Sequence, residues 1–182
     1  MRKLIEPVME KFLETVNPDY KNDPDMKGTP ERLGRMYEHF FRNEDVECHF
    51  DKKFPTTNDQ MIIVKDIEAI GMCPHHLVPI IYTVHIGYIP NGYAIGLSKL
   101  ARVAIGLASY PKLQENYTEE IKTKIKEHIN PRGVMVVVDG VHGCMRTRGV
   151  EQANSSTVTS AVDGIFMEKD TAKQEFLKLI EM

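Results

Sequence analysis

Cys73 and His76, three positions apart in Met72-Cys73-Pro74-His75-His76, and the distant Cys144 after His142-Gly143 are the residues best equipped for chemistry. Two thiols and one imidazole make a donor set that suits Zn(II) and poorly matches Mg(II) or Ca(II), which take oxygen ligands. Structural zinc sites usually close with four protein ligands, whereas catalytic sites keep three and leave a position for water or substrate. A set of three therefore predicts chemistry rather than scaffolding. His75 and His142 each neighbour a ligand without being needed as one, and both are candidate acid/base groups. The competing reading is that the cysteines are small buried hydrophobes, as free cysteine often is. Cys48, with no motif beside it, is read that way. A C-x-x-H pair with one distant cysteine does not by itself decide between the two.

The elements that must position these groups belong to a chain of 182 residues, long enough for one domain with a core. A formal charge of −3 gives no global reason to expect a nucleic-acid partner, so an anionic ligand needs a local cluster of Lys and Arg. No apolar run is long enough to cross a bilayer, and Met1-Arg2-Lys3-Leu4-Ile5 does not open a signal peptide, so a cytoplasmic protein without a membrane partner is expected. The three cysteines, an odd number, argue against a disulfide framework.

Leu4, Ile5, Val8, Met9, Phe12 and Leu13 recur at helical spacing and predict an amphipathic helix ending before Asn17-Pro18. Thr29-Pro30 reads as an N-cap and first helical residue, opening a helix to about Phe41. The stretch from Glu44 to Asn58 reads as a polar connector. Strands are expected from Met61 to Ile70 and from Leu77 to Ile89, joined by the Cys73/His76 loop. Ser98 is expected to cap a helix through Ala108, and Thr118 to begin another through Ile129. Gly133–Val141 predicts a third strand, Ser155–Val162 a fourth, and Thr171–Ile180 a closing helix. This order describes an α+β protein with an N-terminal helical region and connector over 1–58 and a catalytic domain over 59–182. His39, His49 and His128 are expected at the surface, and His85 as a structural strand residue.

Four separated blocks carry a resemblance to the GTP cyclohydrolase I family that runs from about Thr29 to the C-terminus. They are Cys73-Pro74-His75-His76 followed by His85-Ile86-Gly87-Tyr88-Ile89-Pro90; Gly96-Leu97-Ser98-Lys99-Leu100-Ala101-Arg102; Gln114-Glu115 with Thr118; and His142 through Val150. The resemblance implies the tunnelling fold, with four antiparallel strands and two helices per subunit. It also implies assembly into an oligomeric β-barrel, a homodecamer of two pentamers with active sites between subunits.

By the same resemblance Cys73, His76 and Cys144 are zinc ligands, and zinc-activated water attacks C8 of the guanine of GTP. His75 protonates the imidazole-ring nitrogen, formate leaves, and His142 and Ser98 act near the ribose on the way to 7,8-dihydroneopterin triphosphate. Glu115 matches the residue that accepts hydrogen bonds from guanine N1 and its exocyclic amine, a pattern adenine cannot supply. Gln114 is its implied partner in holding the base. Lys99, Arg102, Arg148 and Arg32 resemble a triphosphate cradle.

The chain departs from the family pattern at several of these places. Pro74 stands where glutamate is common, and Gly71 where a small hydroxyl residue is usual. Tyr110 and Asn116 replace arginines, while Lys112 and Tyr117 replace Gln and Leu. Two alternatives accompany the cyclohydrolase reading. One is a related enzyme acting on a modified or deoxy guanine nucleotide, or stopping at the ring-opened formamide. The other is a noncatalytic nucleotide-binding homologue.

Overall fold

β-Branched and aromatic residues are frequent in the long strands among β1 (Lys53–Pro55), β2 (Ile62–Met72), β3 (Pro79–Ile89), β4 (Tyr93–Ile95), β5 (Gly133–His142) and β6 (Thr157–Gly164). β1 pairs with β4, and the others form one antiparallel sheet in the order β2-β3-β5-β6. The helices are α1 (Arg2–Val16), α2 (Thr29–Phe40), α3 (Leu97–Ala108), α4 (Gln114–Ile129), α5 (Gly143–Arg146), α6 (Ile165–Glu168) and α7 (Asp170–Glu181). This computed structural model describes residues 1–182 apart from the side chain of Arg2. The result is an α+β protein with antiparallel sheets. None of the described helices is long and apolar enough to cross a membrane.

Two units divide the chain, Met1–Arg42 and Asn43–Met182. In the first, α1 packs on α2, burying Leu13 and leaving Leu4, Val8, Phe12 and Val16 exposed. In the second, one face of the four-stranded sheet lies under α3 and α4. Tyr82, Val84, Ile86, Val136 and Val138 from the sheet meet Leu100, Val103, Ile121 and Ile125 from the helices in a single core. Each fully buried side chain of this kind contributes about 1.5–3 kcal/mol from removal from water.

The other face of the sheet is covered at one end only. There Phe176 of α7 and Phe166 of α6 meet edge to face, with ring centroids 6.2 Å apart, over Met135 and Val137. Gly87 makes this contact possible, because a Cβ there would lie 2.6 Å from the Phe176 ring. At the other end Ile70, Ile81 and Val158 stay exposed. Ile70 and Ile81 are register partners, so the apolar patch runs across strands.

Element boundaries differ from the sequence reading where capping chemistry was misjudged. Gly28, left-handed at φ 80, precedes α2 instead of Thr29 acting as the cap, and the Thr29 hydroxyl instead accepts from Arg32 at 2.8 Å. α3 starts at Leu97, so Ser98 is an exposed second residue with no capping hydrogen bond. α4 starts at Gln114, four residues before Thr118, with Leu113 as its cap. The expected connector holds a 3-10 turn, Glu47–Phe50, and β1, and it inserts Val46 and Phe50 into the second unit's core.

Single residues correct the reading too. Cys48 on that turn is exposed and not a buried hydrophobe. His128 is half-buried, stacked on Phe50 with centroids 4.4 Å apart, and His49 is 12% exposed.

Removing the Phe176 ring empties the space between α7 and the sheet. Phe176→Ala should therefore cost about 3–5 kcal/mol of stability. A urea unfolding series against the parent protein measures it, and a loss below about 1 kcal/mol would show that α7 contributes little to this face.

Candidate active site

The loop that carries Cys73 and His76 is shaped by the backbone. After β2 ends at Met72, Leu77 donates to the Cys73 carbonyl at 2.9 Å and Cys73 donates to the Val78 carbonyl at 3.0 Å. The turn closes through Leu77 in the left-handed region, φ 52, an uncommon and strained conformation for a branched residue. Such strain is a feature of functional loops held by their surroundings. Cys144 comes from the other side, on the short α5 that follows β5. Gly143 lets α5 approach, because a Cβ there would be 2.7 Å from the Pro79 carbonyl oxygen.

These two approaches bring the ligand atoms of Cys73, His76 and Cys144 to within 4.8 Å of one another. His76 Nδ1 faces Cys73 Sγ at 3.6 Å, and Arg148 donates to His76 Nε2 on the far side of the ring. Burial and hydrogen bonding with Cys73 push the Cys144 thiol up, with Arg148 opposing more weakly. Two thiols this close resist ionising together unless a cation compensates them. The donor set, its spacing and its demand for positive charge all fit a metal ion bound by sulfur and nitrogen. His75 lies beside the group, its ring 6.1 Å from that of His76, and is exposed.

His142 is held by a different device. Its Nε2 lies 2.8 Å from Gln114 Oε1. Gln114 is only 2% exposed, and its amide nitrogen lies 3.1 Å from the Val138 carbonyl, 2.7 Å from the Thr157 carbonyl and 3.2 Å from Thr159 Oγ1. Carbonyl oxygens only accept, so the nitrogen belongs on that side and Oε1 must face His142. His142 therefore donates from Nε2 and keeps the Nδ1 lone pair. Burial pulls its pKa down, against a smaller upward pull from Glu115, which favours this neutral form. Thr159 and Thr118 share a 2.6 Å hydrogen bond, and Thr118 donates back to the Gln114 carbonyl at 2.8 Å, closing a ring of bonds around the start of α4.

Glu115 follows Gln114, exposed in the first turn of α4, where the helix N-terminus favours negative charge. At the start of α3, Arg102 follows Ser98 by four residues and Lys99 by three, so it neighbours both on the helix surface. Ser98 and Arg102 are exposed and Lys99 is half-buried, and among the described residues none has a side-chain hydrogen bond or ion pair. Arg148, expected among phosphate ligands, is placed against His76. Arg32 belongs to the first unit, where it donates to the carbonyls of Asp25 and Lys27 at 3.2 and 3.1 Å.

Sequence reasoning missed the inward role of Gln114 and its partners Thr159 and Gly140. The available signal was Gly140, an isolated glycine in an otherwise β-branched strand, which marks close approach of another group. A Cβ at Gly140 would lie 2.1 Å from Gln114 Oε1.

A Cys-His-Cys group that could hold a metal ion, a half-buried histidine held by a buried amide and a carboxylate at a helix start are the features of an enzyme site on an α+β protein. The family model for GTP cyclohydrolase I matches residues 5–181, and the chain belongs to that family. Curated proteins named GTP cyclohydrolase 1 are similar along nearly their whole length. That of Desulforamulus reducens is 44% identical, covering 97% of this chain and 95% of its own. Those of Carboxydothermus hydrogenoformans and Bacillus subtilis are 42% and 41% identical, covering 98% and 99% of this chain and 94% and 96% of theirs. Among solved structures, the apo form of a QueF-like archaeosine synthase matches 57% of this chain and 93% of its own, with TM-score 0.48 and 18% identity.

The Gln114 amide cannot be replaced by a carboxylate, which has no hydrogen to give the Val138 and Thr157 carbonyls. Gln114→Glu should cost about 2–4 kcal/mol at neutral pH, from a desolvated charge set against two carbonyl oxygens. Denaturant titration measures that loss. Equal stability of the variant and the parent would remove the amide from its central place.

Proposed function

We propose that this chain is a GTP cyclohydrolase I that opens the imidazole ring of guanine hydrolytically, releases C8 as formate and yields 7,8-dihydroneopterin triphosphate. The observation that carries the reading is the convergence of Cys73, His76 and Cys144 beside the Gln114-held His142, in a member of this family. Held by those three ligands, a zinc ion would supply Lewis acidity and lower the pKa of bound water towards neutrality.

The remaining work falls to the chain's own groups. Glu115 accepts from guanine N1–H and the exocyclic amine, and the start of α4 favours its charge. Gln114 serves the base from beneath, by fixing the turn of α4 that presents Glu115. His75 gives a proton to N7, which makes C8 electrophilic. His142 keeps a lone pair at Nδ1 and can take a proton during ribose opening and rearrangement, with Ser98 nearby as a hydroxyl donor. Lys99, Arg102 and Arg148 are assigned to the triphosphate, and the family resemblance adds Arg32 to the phosphate ligands. Arg148 would then serve two acceptors in turn, His76 Nε2 and the phosphates.

We assign catalysis to 59–182 and a supporting role to 1–58. The fold is read as the tunnelling fold, closing into a barrel in a decamer of two pentamers. The exposed Ile70, Ile81 and Val158 on the sheet and Leu4, Val8, Phe12 and Val16 on α1 support such an assembly, because apolar surface of this kind marks protein contact. A cytoplasmic location fits a nucleotide substrate.

Mass spectrometry of products from zinc-loaded protein and GTP tests the reading. Formate with dihydroneopterin triphosphate is expected, with His75→Ala slower by about 10²–10⁴-fold. Cys144→Ser should lose zinc on metal analysis together with turnover. A ring-opened formamide as the end product, or turnover only with dGTP, would point to the related cyclohydrolases. GTP bound but unchanged would leave a nucleotide-binding homologue.

A further inference from the structure

Tyr82 sits in a slot made by absent side chains. On β3 it is paired with Ala69 on one side and Gly140 on the other. A Cβ at Gly71 would lie 2.5 Å from its Cε2, and one at Gly140 would lie 3.2 Å from its Cδ1. Its free face is covered by the Tyr117 ring, with centroids 4.7 Å apart and planes inclined by 25°. Tyr117 is anchored in turn through its hydroxyl, which donates to the Ala104 carbonyl at 2.8 Å. Gly71 and Tyr117 are both places where this chain departs from the family pattern, and both touch this one ring. The two departures are therefore a single adjustment, with a side chain removed on one side and a stacking partner added on the other.

The purpose of that adjustment lies in the phenol. The hydroxyls of Tyr88 and Tyr117 both have partners, the Ile95 N–H and the Ala104 carbonyl. Among the described residues the Tyr82 hydroxyl has none. It is also absent from the fully enclosed unpartnered atoms, which are His49 Nε2 and Asp139 Oδ1, so the small accessible part of Tyr82 includes it. A buried tyrosine ordinarily satisfies its hydroxyl, so an open one beside a site is a donor in waiting. Burial first, then the charges of Cys73 and Glu115, hold this phenol well above its ordinary pKa, and it stays protonated at any working pH. The ring itself spans the region between Gly71, two residues before Cys73, and the amide of Gln114, one residue before Glu115.

Around the edge of guanine the atoms run from the 2-amino group and N1 through C6 with O6, then C5, N7 and C8. A base with N1 at Glu115 and C8 at the metal ligands presents O6 between them, and O6 only accepts. We propose that the Tyr82 hydroxyl donates a hydrogen bond to O6 of the base and is a specificity-determining contact of this chain. The inference rests on the guanine-nucleotide reading above.

Tyr82→Phe removes the oxygen and keeps the stacked ring, so its melting temperature should stay close to that of the parent. Calorimetric titration of metal-free protein with GTP and with 6-thioguanosine triphosphate, whose sulfur accepts weakly, reads the contact without turnover. The parent should prefer GTP, and Tyr82→Phe should weaken GTP binding roughly tenfold while shifting the thio analogue by only about twofold. Equal losses for both nucleotides, or unchanged GTP binding in the variant, would overturn the contact while leaving the cyclohydrolase reading intact. No binding of GTP by the parent would overturn the substrate reading, and the O6 contact with it.

Discussion

One buried amide organises this active site. The nitrogen of Gln114 faces two carbonyl oxygens, from Val138 in β5 and Thr157 at the start of β6, which have no proton to offer. Each carbonyl left without a donor would cost about 1–3 kcal/mol, so the amide has one orientation available to it. That orientation decides which atom meets His142, which tautomer His142 adopts and where α4 begins. The carboxylate of Glu115 and the lone pair of His142 are thereby set by the same hydrogen bonds that seat a helix on a sheet.

The sheet in turn tolerates that amide only because of small residues at particular registers. Gly140 leaves room for Gln114, Gly143 lets α5 reach the carbonyl of Pro79, and Gly71 leaves room for Tyr82. Two strand ends, β2 and β5, then carry Cys73 and Cys144 to one place from positions far apart in sequence. The strained Leu77 is the local cost of turning the loop so that His76 faces Cys73.

Strands were legible from their β-branched residues, and the Cys73/His76/Cys144 group from its residue types, a thiol and an imidazole three positions apart with one distant thiol. The start of α4 was not, because a Leu cap gives no polar signal and Thr118 offered a false one. Gln114 read as a partner of Glu115 in holding the base, since nothing in its neighbours reveals two acceptors arriving from β5 and β6. Tyr82 was invisible for a related reason. Its importance comes from what is missing at Gly71 and Gly140, and a void is defined only once strands are in register. Arg148 illustrates the opposite limit, because its residue type suits a phosphate and gives no hint of His76.

The Tyr82/Tyr117 stack also has an optical meaning. The chain contains seven tyrosines and no tryptophan, so its near-ultraviolet absorption and emission belong to tyrosine with a weak phenylalanine background. Two of those seven are buried face to face beside the site, where their transitions couple and their surroundings are rigid. The protein thus carries a built-in chromophore pair in its core, able to register by circular dichroism a change in packing that no added label would report.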